Sequence, residues 1–208
     1  MYYQLFKRLL FAPVVRWLLR ARIEGQENVP ETGGAILASN HLAAGDTFVM
    51  PALIDRQVIF PAKAELFAGN RGLGSKIIAW FLKAVGQVPL DRSGGRVSLD
   101  GLGPVLKVLR DGGLVGIYPE GTRSPDGTIA GFKPGLWHLA SAVPEAELVP
   151  VYLQNLNRIL PKGHFLPIPL LSTVVFGKPI RVEPGETKPG FLHRSRQALL
   201  GLVPCPVS

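Results

Sequence analysis

Cysteine is nearly missing from this chain: the single Cys205 excludes any disulfide within it and fits a reducing, cytoplasmic compartment. Charge is sparse too, at 18% of 208 residues against 47% hydrophobic, a balance far too apolar for a disordered segment. Long apolar runs are also lacking. The best candidate, near the start, is broken by Lys7, Arg8, Arg16 and Arg20 and falls short of the roughly 18–20 apolar residues a spanning helix needs. No Gly-x-Ser-x-Gly elbow occurs, which disfavours the α/β-hydrolase kind of lipase. No basic segment interleaved with aromatics occurs either, which argues against nucleic acid as a partner. There is no internal repeat.

What is there suits one domain with a substantial core. A net charge of +8 fits an anionic partner, either phospholipid headgroups or a phosphorylated substrate. The mean hydropathy of +0.23, without a spanning segment, implies surplus apolar surface for a bilayer or a lipid ligand. Residues 1–22 read as an amphipathic membrane-contact segment. On a helix, Tyr3, Phe6, Leu10, Val14 and Trp17 share an uncharged face, the basic side chains point elsewhere, and Pro13 kinks or divides the run. A signal peptide is rejected because no small-residue cleavage site follows and Arg16, Arg20 and Arg22 continue the positive charge.

Beyond that segment, residues 23–208 read as one domain. The stretch 23–30 is a polar connection. Short apolar runs at 35–38, 57–61, 88–90, 114–118, 148–153 and 173–176 predict strands, and helical patterns lie at 47–54, 75–85, 104–110, 134–143 and 191–200. Strands alternating with helices predict an α/β fold, a sheet flanked by helices, with its site at the strand ends.

Two such ends carry chemistry. After the first run comes Asn40-His41-Leu42-Ala43-Ala44-Gly45-Asp46, an imidazole and a carboxylate five positions apart with small residues between. A loop that folds back lets Asp46 accept from one ring nitrogen of His41, leaving the other to take a proton. The loop holds no serine or cysteine, so the pair suits a base that activates a substrate hydroxyl directly. Two plainer readings stay open: Asp46 as a helix N-cap, and His41 as a hydrogen-bonded histidine at a strand end. The second end is Tyr118-Pro119-Glu120-Gly121-Thr122-Arg123-Ser124. Arg123 has the fork to hold a phosphate bidentately, and Gly121 lets backbone approach closely, so its amide is available to phosphate or oxyanion. The alternative is an ordinary turn with Glu120 and Arg123 as a solvated ion pair. Trp137, Trp80, Phe81 and Trp17 fit core or membrane-anchor positions better than an acyl tunnel. No cluster suggests a metal.

Taken together, these stretches resemble the glycerolipid acyltransferase family, in particular 1-acyl-glycerol-3-phosphate acyltransferases. The likeness extends to Lys63 before Glu65-Leu66, to the closing Arg92, and to Val149-Pro150-Val151. Two departures, Ala43 where members often carry serine and Thr47 where they carry proline, remove no group the chemistry requires.

The resemblance implies transfer of a fatty acyl group from acyl-CoA or acyl carrier protein, as co-substrate, to lysophosphatidic acid, with neither cofactor nor metal. It makes His41 the general base, Asp46 its orienting partner and Arg123 the phosphate holder within a substrate loop of Glu120, Gly121, Thr122 and Arg123. Glu120 would orient Arg123 or His41, while Lys63 and Arg92 would supply a second phosphate contact or steady the oxyanion. The expected partner surface is a phospholipid membrane, contacted peripherally or monotopically at the cytoplasmic face of the cell membrane. Another lysophospholipid or glycerol 3-phosphate is the alternative acceptor. A non-catalytic lipid-binding protein would not need His41 and Asp46.

Overall fold

The computed structural model describes residues 22–42, 46–90, 100–124, 127–155 and 172–204, with positions 9 and 13 besides. The amphipathic segment expected over 1–22 lies almost wholly outside the described residues, and Arg92 lies outside them too.

Four apolar residues in a row and a buried serine, Ala35–Ser39, form the buried strand β2 at the centre of the sheet. Its neighbours are β6 (Leu114–Ile117) and β7 (Glu147–Gln154), both parallel to it. The six-stranded sheet is completed by β3 (Val58–Ile59) beside β6 and by β8 (Thr173–Phe176) and β1 (Arg22–Glu24) beyond β7, in the order β1-β8-β7-β2-β6-β3. β8 runs antiparallel to β7 and β1 runs parallel to β8, so these two strands at one end of the sheet oppose the rest. A separate parallel pair, β4 (Pro61–Lys63) and β5 (Val88–Leu90), stands beside it.

Alternation along β2 divides the core between two faces. Ala35 and Leu37 pack with Met50, Leu53, Val58, Val149 and Val174 on the side of helix α1 (Asp46–Leu53). Ile36 and Ala38 face Val105, Leu109, Leu136, Leu139 and Phe191. These come from helices α3 (Gly103–Arg110), α4 (Gly135–Ala142) and α5 (Lys188–Leu200). Helix α2 (Leu73–Ala84) links β4 to β5. No helix among the described residues is long and apolar enough to cross a membrane.

The α/β expectation holds, with two corrections. The stretch 23–30 is not simply a connection, because Arg22–Glu24 pairs with β8 along its backbone. Only Ile23 packs inward while Arg22 and Glu24 flank it, so the strand carries the composition of a linker. The run at 57–61 splits at Phe60, giving Val58 and Ile59 to β6 and the residues after Phe60 to β5.

Candidate active site

The site forms where β2 and β6 end side by side. Their register pairs Ala38 with Ile117, and three residues beyond each partner come His41 and Glu120. Asn40 secures the end of β2: its amide donates to Leu153 O at 3.0 Å and its Oδ1 accepts from Leu153 N–H at 2.7 Å. The next residue therefore leaves the sheet at a fixed point.

His41 Nδ1 lies 2.9 Å from Asp46 Oδ2, and Leu42 N–H donates to the same oxygen at 2.6 Å. Asp46 is fully buried at the first position of α1, while the His41 side chain keeps 18% exposure. Hydrogen bonding at Nδ1 leaves Nε2 as the nitrogen for a substrate. The phenol of Tyr118 stacks on the imidazole, with ring centroids 3.9 Å apart and planes 14° from parallel. Its hydroxyl lies 3.2 Å from Thr47 Oγ1, and its other neighbour is the Phe60 ring at 5.6 Å. Burial raises the Tyr118 phenol far above its ordinary pKa, and the charge on Asp46 pushes the same way. The phenol is therefore a neutral wall to the site. Gly116 makes the stack possible, since a Cβ there would come within 2.4 Å of the Phe60 ring.

Glu120 is buried at 2% exposure, and both its oxygens serve backbone: Oε1 accepts from His41 N–H at 3.3 Å and Oε2 from Ala130 N–H at 2.8 Å. The expected partner was Arg123 or the His41 ring. A carboxylate buried at a strand end instead satisfies the amides the strand leaves behind. Gly121 is corrected as well. At φ 75° it takes a left-handed turn suited to glycine, and its N–H donates to Tyr118 O at 3.0 Å, so that amide serves the turn.

Ser124 N–H donates to His41 O at 2.8 Å, which ties the two loops together and carries exposed Thr122 and Arg123 beside the histidine loop. No carboxylate among the described residues pairs with Arg123. Lys63 ends β4, exposed, on the smaller pair of strands. Sequence reasoning did not single out Lys133, whose N–H donates to Pro119 O at 2.7 Å and whose side chain lies against Gly121. Nor did it give Tyr118 its place against His41. The aromatic was visible in the motif, but its stacking depends on the pairing of β2 with β6.

Fold and site together define an α/β protein with a carboxylate-bound histidine at the carboxyl ends of parallel strands, next to an arginine-bearing loop. The comparisons narrow that class. The profile of the family described as Acyltransferase matches residues 20–154, and the chain belongs to that family. It is 33% identical over 145 residues to the chloroplastic 1-acyl-sn-glycerol-3-phosphate acyltransferase LPAT1 of Arabidopsis thaliana, covering 69% of this chain and 38% of the relative. It is 28% identical over 149 residues to the 1-acyl-sn-glycerol-3-phosphate acyltransferase of Borreliella burgdorferi, covering 71% of this chain and 57% of the relative. The chain thus spans well under two thirds of either relative. The fold is similar to the crystal structure of the 1-acyl-sn-glycerophosphate (LPA) acyltransferase PlsC from Thermotoga maritima. The TM-score is 0.74 at 19% identity, covering 99% of this chain and 81% of that one.

Proposed function

We propose that this chain transfers a fatty acyl group from a thioester donor, acyl-CoA or acyl carrier protein, to the free hydroxyl of 1-acyl-glycerol 3-phosphate at a phospholipid surface. The observation that carries the reading is the 2.9 Å contact between His41 Nδ1 and Asp46 Oδ2 at a strand end where the imidazole keeps partial exposure, with no protein nucleophile in its loop. The names of the relatives supply the acceptor.

In the reaction His41 Nε2 accepts the hydroxyl proton as the oxygen attacks the thioester carbonyl. Asp46 holds the ring in the required tautomer and offsets the positive charge that develops on it. The tetrahedral oxyanion collapses, the carbon–sulfur bond breaks, and the imidazolium returns its proton to the leaving thiolate. The products are one ester and one thiol. Arg123 binds the acceptor phosphate as a planar fork, with Lys63 and Arg92 as further cations. Tyr118 keeps the imidazole plane fixed through the proton transfers.

Purified protein with acyl-CoA is tested against lysophosphatidic acid, other lysophospholipids and glycerol 3-phosphate, with thiol release as the readout and His41→Ala as control. The reading expects release that depends on lysophosphatidic acid and on His41. Turnover unaffected by the substitution, or preference for an acceptor without a phosphate monoester, would overturn it.

A further inference from the structure

Helix α2 presents large apolar side chains to solvent. Leu73 is 76% exposed, Ile77 and Trp80 are 56% exposed each, and Ala79 is the helix's fully buried residue. Leu73, Ile77 and Trp80 recur at four- and three-residue spacing and share a face. Ile78, also exposed, widens that face. Lys76 and Lys83, both exposed and two turns apart, line one edge, and α2 contains no acidic residue.

Topology relates this helix to the site. β4 continues the chain from β3, which runs parallel to β6, and α2 is the crossover from β4 to parallel β5. The crossover leaves β4 at its carboxyl end, the direction in which β2 and β6 run to His41 and Tyr118. The chain thus leaves β4 toward that end before it enters α2.

We infer that the face of α2 bearing Leu73, Ile77 and Trp80, edged by Lys76 and Lys83, seats the protein on the surface of an anionic lipid bilayer. The apolar side chains reach the acyl boundary while the ammonium groups meet lipid phosphates, the division of labour of an interfacial helix. Tryptophan suits that boundary, with an apolar ring and one polar N–H. A second copy of the chain fits less well. The twelve-residue helix offers a stripe about 18 Å long, and a stable interface buries roughly 800 Å² per partner. Two-fold pairing would also bring the lysine edges together. The inference rests on the proposed function for its purpose, but its measurement needs no turnover.

The test uses the full chain with Trp17→Phe and Trp137→Phe, so that Trp80 is the sole tryptophan, and phosphatidylcholine vesicles with or without phosphatidylglycerol, their acyl chains brominated. Expected are binding that favours the anionic vesicles and quenching of Trp80 emission on binding. Ile77→Glu should weaken partition on the order of tenfold or more, because a buried aliphatic is replaced by a charge. The double change Lys76→Glu and Lys83→Glu should abolish the preference for phosphatidylglycerol. Lys76, Ile77 and Lys83 are exposed, so their substitution in this background should leave thermal unfolding unchanged, as it should acyl transfer to a short-chain acceptor dissolved in water. No binding, binding without quenching of Trp80, or dissociation of a dimer by Ile77→Glu would overturn the inference. Quenching without turnover on any acceptor would instead support it while refuting the proposed activity.

Discussion

At the scale of single residues, the proposed reaction divides the site between groups that would meet substrate and groups that hold those in place. His41→Ala should lower kcat by about 100- to 10,000-fold, the usual contribution of a positioned base, with the unfolding temperature little changed. Tyr118 offers a finer comparison. Tyr118→Phe keeps the ring on the imidazole and loses only the contact with Thr47, so its kcat should stay near that of the parent. Tyr118→Leu removes the stacking, and kcat should fall about 2- to 12-fold, the equivalent of the 0.5–1.5 kcal/mol such ring pairs contribute. Steady-state kinetics at saturating donor distinguishes these outcomes. Arg123→Lys should raise the acceptor KM more than the donor KM, because a point charge replaces a planar fork. These residues also mark what the sequence revealed. The His41–Asp46 contact was legible because it is local, five positions within one loop. Glu120's partners were not: they are the amides of His41, 79 positions away, and of Ala130 across a loop. Gly121 was recognisable as a turn, but only the closed turn shows that Tyr118 O takes its N–H.

At the scale of elements, the short strands were legible because the inner ones are buried on both faces and therefore continuously apolar, as Ala35–Ala38 is. β1 was not legible, because an edge strand with one inward side chain carries little apolar signal. Gly116 shows how an element reaches the chemistry. Placed in β6 beneath Phe60, it admits a ring that touches Tyr118, which in turn touches His41. Gly116→Ala should cost about 1–3 kcal/mol, the usual range for overpacking a filled core. It should also lower kcat if the displaced Phe60 ring presses on Tyr118, its stacked neighbour. Denaturant titration and kinetics on one sample would measure both effects. A stability loss with unaltered kcat would show that the Phe60 contact does not reach the site.

At the scale of the whole molecule, one arginine ties distant segments together and another anchors the last helix. Arg56 donates to Pro30 O, Gly33 O and Gly112 O at 2.5, 2.8 and 2.6 Å, closing the end of the sheet opposite the site. Arg56→Ala should destabilise the fold by about 2–3 kcal/mol, and lysine should restore little of it because one ammonium cannot reproduce the fork. Arg194 of α5 donates to both oxygens of Glu186 and holds that carboxyl below its ordinary pKa. A lowered pKa in the folded state means that the contribution is full above the ordinary carboxylate value and is lost as pH falls through the lowered one. The difference in unfolding temperature between the parent and Glu186→Gln should therefore be present at neutral pH and vanish in acid. The effect should be modest, about 1 kcal/mol or less, because the Arg194 side chain is 32% exposed.

The reversed direction of β1 has a practical result. Arg22 pairs with Thr173, and Thr173 pairs with Gln154, the neighbour of the Leu153 that Asn40 grips. The polypeptide ahead of Arg22 thus joins the fold at the rim of the reaction centre, not at the far pole that Arg56 closes. A bulky fusion placed there would crowd incoming lipid.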